Sequence, residues 1–250
     1  MIVSHDVDGP ADGPAVVLLH SSVCDRRMWD AQRAPLAAAG HRVVRLDFRT
    51  CGDSPAATAP YSDEGDVLAV LDALGIERAA LVGSSYGGRV ALRLAAQHPD
   101  RVDRLVLLCP GVPGMQPTPD ITAFDEAEEV LLDAGDLLGA AELNARTWLG
   151  PEADDATRAL VRDMQLHNFE AGAGADWELE LPEPEVGLGA VRVPASVFGG
   201  AHDLPGFREV SRTLAERLPE ATYTELSWAG HLPALERPDE ITQLILSQLR

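Results

Sequence analysis

Lysine is absent from the 250-residue chain; all 20 basic residues are arginine. This excludes any mechanism built on a catalytic lysine, and it reads as genomic bias toward GC-rich codons rather than as a functional device. Positive charge is also in the minority, with 20 basic against 40 acidic residues and a net charge of −20. A surface this negative repels phosphate backbones and anionic lipid, which argues against nucleic acid or a membrane surface as partner. Cysteine is scarce. Cys24, Cys51 and Cys109 are odd in number and form no C-x-x-C, so neither a disulfide framework nor a zinc site is indicated. Three reduced, mostly buried thiols are expected, with no metal and no cofactor. Long hydrophobic runs are missing as well. The apolar stretch 15–19 is far too short to span a bilayer, and the N-terminus MIVSHDVDGPADG has no basic leader. A cytoplasmic location and a monomer or homodimer acting on a small-molecule substrate follow as expectations.

What is present is a soluble-type composition, 46% hydrophobic and 24% charged, and enough length for one α/β domain with a sizeable core. Strand-like and helix-like segments alternate. Residues 2–7, 15–19 (AVVLL), 41–46 (HRVVRL), 78–82 (RAALV) and 102–108 (VDRLVLL) read as strands. Between them, 27–39, 62–74 and 88–97 read as helices, by spacing or composition and by Gly or Pro stops. Continuous apolar strands separated by helices predict right-handed crossovers and a mostly parallel, doubly wound sheet covered on both faces. The rhythm breaks after Cys109, where PGVPGMQPTP leaves the sheet and 120–169 is helical in three pieces. Strand 194–198, helix 207–217, strand 222–226 and helix 239–249 then resume it. The expected architecture is therefore an α/β core from 1–112 and 189–250, with 113–188 inserted as a helical cap.

Strand 78–82 runs into Gly83-Ser84-Ser85-Tyr86-Gly87-Gly88 and a helix, which is G-x-S-x-G in strand–turn–helix context. The glycines admit a sharp turn that exposes the Ser85 hydroxyl at a helix N-terminus, where developing negative charge is favoured. The alternative is an ordinary tight turn. A serine needs a base, and of the seven histidines His231, in Ala229-Gly230-His231-Leu232-Pro233, sits between the last strand and the last helix. Loops at strand C-termini are where open α/β sheets bind ligands. Asp203 follows strand 194–198 in the same manner, and no acid stands between Pro110 and Pro119 to compete with it. The chain order Ser85, Asp203, His231 is that of a Ser…Asp…His set.

On these residues, together with L-L-H-S-S at the end of strand 15–19, D-F-R-T-C-G-D-S at 47–54, and Glu236 and Pro238 after His231, the chain resembles the α/β-hydrolase superfamily over almost its full length. Within it, the likeness is to small capped esterase, lactonase and peroxidase-like members. The resemblance implies a sheet of seven to eight strands, the first edge strand missing or very short, and an oxyanion hole from the backbone N–H groups of Tyr86 and Ser22, with Val23 next in line for Ser22. Two positions depart from the usual pattern, Ser21 and Thr50, both commonly glycine. Serine at the elbow excludes the epoxide hydrolases and haloalkane dehalogenases, which resemble this fold but use aspartate.

The chemistry expected is acyl transfer on an ester or lactone of a small hydrophobic substrate. Substrate contacts are expected from His20, Trp148, Met164, His167 and Leu232, against the alternative that the apolar and aromatic cap residues, including Met115, Phe124, Phe169 and Trp177, merely glue cap to core. A serine-dependent carbon–carbon bond hydrolase or lyase reuses the same triad. A non-catalytic binding module on the same fold has no use for a strained elbow and an aligned base.

Overall fold

The computed structural model describes residues 2–183 and 186–250, and the Trp177 side chain lies outside the described part. Seven strands form one sheet: β1 (His5–Asp8), β2 (Ala15–Leu19), β3 (Arg42–Leu46), β4 (Ala79–Ser84), β5 (Val102–Leu108), β6 (Ala195–Gly200) and β7 (Ala221–Leu226). Their order across the sheet is β1-β3-β2-β4-β5-β6-β7. Only β1 runs antiparallel, against β3; every other pair is parallel. Each residue of β2 and β4 is buried, as the apolar runs AVVLL and AALV require for strands covered on both faces. One strand precedes Ala15 among the described residues, as expected from the short N-terminal segment, although it spans His5–Asp8.

The helices are α1 (Asp30–Ala38), α2 (Asp63–Ala73), α3 (Tyr86–Gln97), α4 (Pro119–Asp133), α5 (Leu137–Trp148), α6 (Asp155–Gly172), α7 (Pro205–Arg217), the short α8 (Pro233–Glu236) and α9 (Pro238–Gln248). Apolar side chains pack in two layers, one on each face of the sheet. One layer takes Val17, Leu19 and Leu81 under α2 and α3; the other takes Val16, Leu18 and Val82 under α1 and α9. This is the alternation of Cβ directions along a strand made visible. No described helix is long and apolar enough to cross a membrane.

Between β5 and β6 the chain leaves the sheet and forms α4, α5 and α6, with no strand there among the described residues. Asp136 and Asp154 start α5 and α6 by accepting from the N–H groups of Gly139 (2.9 Å) and Thr157 (2.7 Å), as N-caps do. The return segment touches the core at the bridge Tyr61 to Glu180, where Tyr61 N–H donates to Leu179 O (2.9 Å) and Leu181 N–H to Tyr61 O (2.8 Å), and again through Glu183, which pairs with Arg89 and Arg93. The expected insertion 113–188 includes residues 184 and 185, which lie outside the described residues.

Thr50 departs from glycine at a cost that the backbone reveals. Its φ is 63°, a left-handed conformation that is a true outlier for a β-branched residue. Thr50→Gly is therefore expected to raise the unfolding free energy by about 1 kcal/mol, with Gly's greater chain entropy offsetting part of the relieved strain; urea denaturation of the two proteins measures it.

Candidate active site

Ser85 occupies the turn between β4 and α3 with φ 51° and ψ −113°. The flanking glycines permit it. A Cβ on Gly83 would stand 2.5 Å from the carbonyl oxygen of Gly87, and one on Gly87 2.7 Å from that of His20. Hydrogen bonds then hold the strained residue from both sides. Ser85 N–H donates to Leu108 O (3.0 Å), and Ser85 O accepts from the N–H groups of Gly88 (2.9 Å) and Gly111 (2.9 Å).

The structure brings the three candidate residues together. Ser85 Oγ–H donates to His231 Nε2 across 2.7 Å, and His231 Nδ1–H donates to Asp203 Oδ2 across 2.6 Å. This tautomer follows from the network, since a carboxylate can only accept. All three residues are buried. The second oxygen of Asp203 accepts from Leu204 N–H (2.7 Å), so the carboxylate is held at both ends.

His231 is fixed from the helical segment as well. Its backbone N–H donates to Trp148 O (2.8 Å). Its ring lies 4.8 Å from Trp148 and 4.3 Å from Phe207, centroid to centroid. Trp148 is anchored in turn by Nε1–H donating to Asn144 Oδ1 (2.9 Å), and Asn144 donates to Glu128. Glu236 takes the Gly230 N–H on both carboxylate oxygens, each at 3.0 Å. Burial raises the Glu236 carboxyl above its ordinary range, while the Gly230, Gly150 and Leu232 amides pull it back.

Two cavities meet here. The smaller, about 310 Å³, contains Ser85 and His231 and is walled by Phe124, Trp148 and Phe207. The larger, about 650 Å³, is walled by Phe48, Tyr61, Tyr86, Leu132 and Phe169. Ser22 and Gln165 line both. Tyr86, as the first residue of α3, has no intrahelical acceptor for its N–H. Ser21, Ser22 and Val23 line the serine cavity, and Tyr86, next to Ser85 in the chain, lines the larger one.

Of the five residues expected to contact substrate, Trp148 lines the serine cavity; the other four do not line either cavity among the described residues. His20 is fully buried, with Nδ1 bonded to Ser21 O (2.7 Å) and Nε2 accepting Phe48 N–H (3.0 Å). Both ring nitrogens are spent on backbone, and burial lowers its pKa and keeps it neutral; its part is to support Phe48. Met164 is wholly buried in the core. One residue further along α6 is about 100° around the helix, and it is Gln165 that reaches the cavity. His167 is exposed and bonds Gly52 O (2.8 Å) beside a separate polar cleft that also contains Asp25 and Arg26. Leu232 packs beneath α8 with no exposed surface.

Phe207, Gln165, Asn144, Tyr61 and Asp63 went unrecognised as wall residues. Phe207 had a signal, lying one turn into the helix that follows Asp203. The rest depend on which way α2 and the three inserted helices face.

Cys24 and Cys109 are free and buried, and Cys51 is free and partly buried. The Cys109 sulfur, Asp203 and His231 present their polar atoms within 4.8 Å of one another, with Cys109 Sγ–H directed at Gly230 O (3.5 Å). Burial, reinforced by the Asp203 charge, pushes the Cys109 thiol well above its ordinary pKa, so it is inert as a thiolate.

The family model for the alpha/beta hydrolase fold matches residues 14–238. The chain belongs to the α/β-hydrolase fold family. Among curated relatives, a Caulobacter sp. (strain K31) protein provisionally named as the carbamate hydrolase RutD is 31% identical over 98% of this chain and 94% of its own. A 2-hydroxy-6-oxononadienedioate/2-hydroxy-6-oxononatrienedioate hydrolase of Paraburkholderia phymatum is 32% identical over 98% of this chain and 90% of its own. The crystal structure of the enol-lactonase from Burkholderia xenovorans LB400 superposes with a TM-score of 0.80 at 29% identity, covering 99% of this chain and 96% of that one.

Asp63 gives a test of the electrostatics. Burial is the largest influence and pushes its carboxyl up to about 6, against the pull of the Tyr86 hydroxyl that donates to it. A raised folded-state pKa contributes stability that is complete below the unfolded value near 4 and is lost as pH rises through about 6. Asp63→Asn is thus expected to be more stable than the parent at pH 8, by up to ~3 kcal/mol from a two-unit shift, with the difference fading below pH 6. Denaturation at pH 4.5 and pH 8 distinguishes this from a pH-independent effect.

Proposed function

We propose that the protein is a serine hydrolase that cleaves a carboxylic ester or lactone of a small hydrophobic substrate through an acyl-enzyme intermediate. The observation that carries this reading is the unbroken hydrogen-bond chain from Ser85 Oγ through His231 to Asp203. His231 Nε2 takes the hydroxyl proton as Ser85 Oγ attacks the carbonyl carbon. The carbonyl oxygen becomes an oxyanion, facing the backbone N–H groups of Tyr86 and Ser22, near the positive end of α3. Collapse of the tetrahedral intermediate expels the alcohol, which receives the proton from His231. Water then attacks the acyl-enzyme, losing a proton to His231, and the acid departs as Ser85 recovers its hydrogen. Asp203 stabilises the imidazolium and fixes the tautomer.

Residues 113–188 serve, on this reading, as a cap that supplies Phe124, Trp148 and Gln165 to the cavities. The relatives named as lactonase and carbamate hydrolase support acyl-transfer chemistry. Carbon–carbon bond cleavage of a dicarboxylate, as in the name of the Paraburkholderia relative, is less well supported. The larger cavity is lined by Asp63, Glu180 and Glu183, and its lining arginine, Arg49, is paired with Asp66. Such walls repel a dianion.

Fluorophosphonate labelling and a series of p-nitrophenyl esters and lactones test the proposal. Ser85→Ala and His231→Ala are each expected to lose activity by about a million-fold, the double variant little more, and Asp203→Asn about ten-thousand-fold. Substantial esterase activity in Ser85→Ala would refute it.

A further inference from the structure

Resting on the serine-hydrolase reading above, we infer that the substrate carries a positively charged nitrogen, a protonated amine or a quaternary ammonium, received in the larger cavity between its aromatic walls and the carboxylates of Asp63 and Glu180. The chamber lies next to the reacting centre, sharing Ser22 and Gln165 with the cavity that holds Ser85. Its volume of about 650 Å³ accommodates a substituent well beyond the scissile bond.

Three observations converge on a cation. The first is the wall. Phe48, Tyr61, Tyr86 and Phe169 line the chamber, and aromatic faces attract a cation through their quadrupole. One of them already does so within the protein, for the Arg49 guanidinium lies 4.9 Å from the Tyr61 ring centroid.

The second is unbalanced charge. The arginines around the chamber are matched by acids: Arg49 by Asp66, Arg89 by Glu183, and Arg93 by Glu64 and Glu183. Asp63 and Glu180 remain, with no salt bridge to either among the described residues. Asp63 is buried, and its only hydrogen bond among the described side chains comes from Tyr86. A buried carboxylate without a counter-charge is expensive. Burial accordingly raises its pKa and the charge of Glu180 adds to the rise, with Arg93, already shared between Glu64 and Glu183, opposing it only in part. An incoming cation would supply the missing partner.

The third is Gln165, at the junction of the two cavities. Its side chain is more than nine-tenths buried, and Oε1 has no hydrogen-bond partner among the described residues. An amide oxygen left unpaired in a buried position costs free energy until a donor arrives. A protonated amine, or the negative end of the amide dipole turned to a quaternary ammonium, satisfies it.

The test uses pairs of esters matched in shape, one member ending in trimethylammonium and the other in tert-butyl, placed on the alcohol side in one pair and on the acyl side in the other. The cationic member of at least one pair is expected to show kcat/KM about ten-fold above its neutral partner, and the preference should survive high salt, which screens surface attraction. Asp63→Asn and Glu180→Gln should each lower that ratio several-fold; Glu216→Gln, at an exposed position on α7, should leave it as in the parent. Binding of phenyltrimethylammonium to Ser85→Ala, measured by calorimetry with and without Asp63→Asn, reads the chamber without turnover. Equal rates within both pairs, or a ratio indifferent to both acid variants, would overturn the inference while leaving an active hydrolase. Loss of all esterase activity and probe labelling, with phenyltrimethylammonium still bound in an Asp63-dependent way, would instead sustain the cation chamber and defeat the hydrolase reading.

Discussion

The backbone of Ser85, at φ 51°, is the constraint around which the upper edge of the sheet is organised. A conformation of this kind costs of order 1–3 kcal/mol for a residue with a side chain, and it persists only if its surroundings leave no cheaper arrangement. Three features remove the alternatives. β5 takes the Ser85 N–H, and the turn that follows β5 donates Gly111 N–H to the Ser85 carbonyl. Gly83 and Gly87 let the strand, the helix and the end of β2 approach to distances that no side chain would allow. His20, fully buried and bonded through both ring nitrogens, locks the end of β2 to the loop after β3. The strain is thus distributed over four adjacent parallel strand ends, and the hydroxyl has one place to be.

The partner of that hydroxyl is positioned by a different part of the chain. His231 lies in a loop, yet its backbone donates to Trp148, its ring is wedged between those of Trp148 and Phe207 in tilted and edge-on contacts, and the amide before it is held by Glu236. Of these three partners, Trp148 lies on α5, in the segment inserted before β6, and Phe207 on α7, which follows β6, so the inserted helices also help to position the base. Changes in α4 or α5 can reach the imidazole through Glu128, Asn144 and Trp148, which also line its cavity.

Electrostatically the protein is built on acid excess. Its arginines around the larger cavity are consumed by pairing, and carboxylates remain on the wall. With no lysine to move flexibly into such sites, the guanidinium groups stay in planar, fixed pairings. Carboxylates on a cavity wall disfavour an anion electrostatically.

The sheet, the turn at Ser85 and the identities of Asp203 and His231 were legible because each depends on local pattern. A five-residue β-branched apolar run such as Ala15–Leu19, set off by a Gly/Pro turn, fits a strand covered on both faces, and G-x-S-x-G between a strand and a helix constrains the backbone whatever surrounds it. Strand ends also follow from chain order, which is why residues 118 and 28 positions apart (Ser85 to Asp203, Asp203 to His231) could be matched before they were seen to meet. The cavity walls were not legible in the same way. Met164 and Gln165 differ by one step along α6, about 100° of rotation, and composition favours the methionine as a contact whereas the fold buries it. His20 and His167 have the chemistry of ligand contacts, but hydrogen bonds to distant backbone at Phe48 and Gly52 claim them. By itself the sequence determined which residues could do chemistry, since backbone conformation and strand order are local or topological properties. The tertiary structure alone decided what surrounds them, because the facing of a helix and the closing of a cavity arise from packing between segments far apart in the chain.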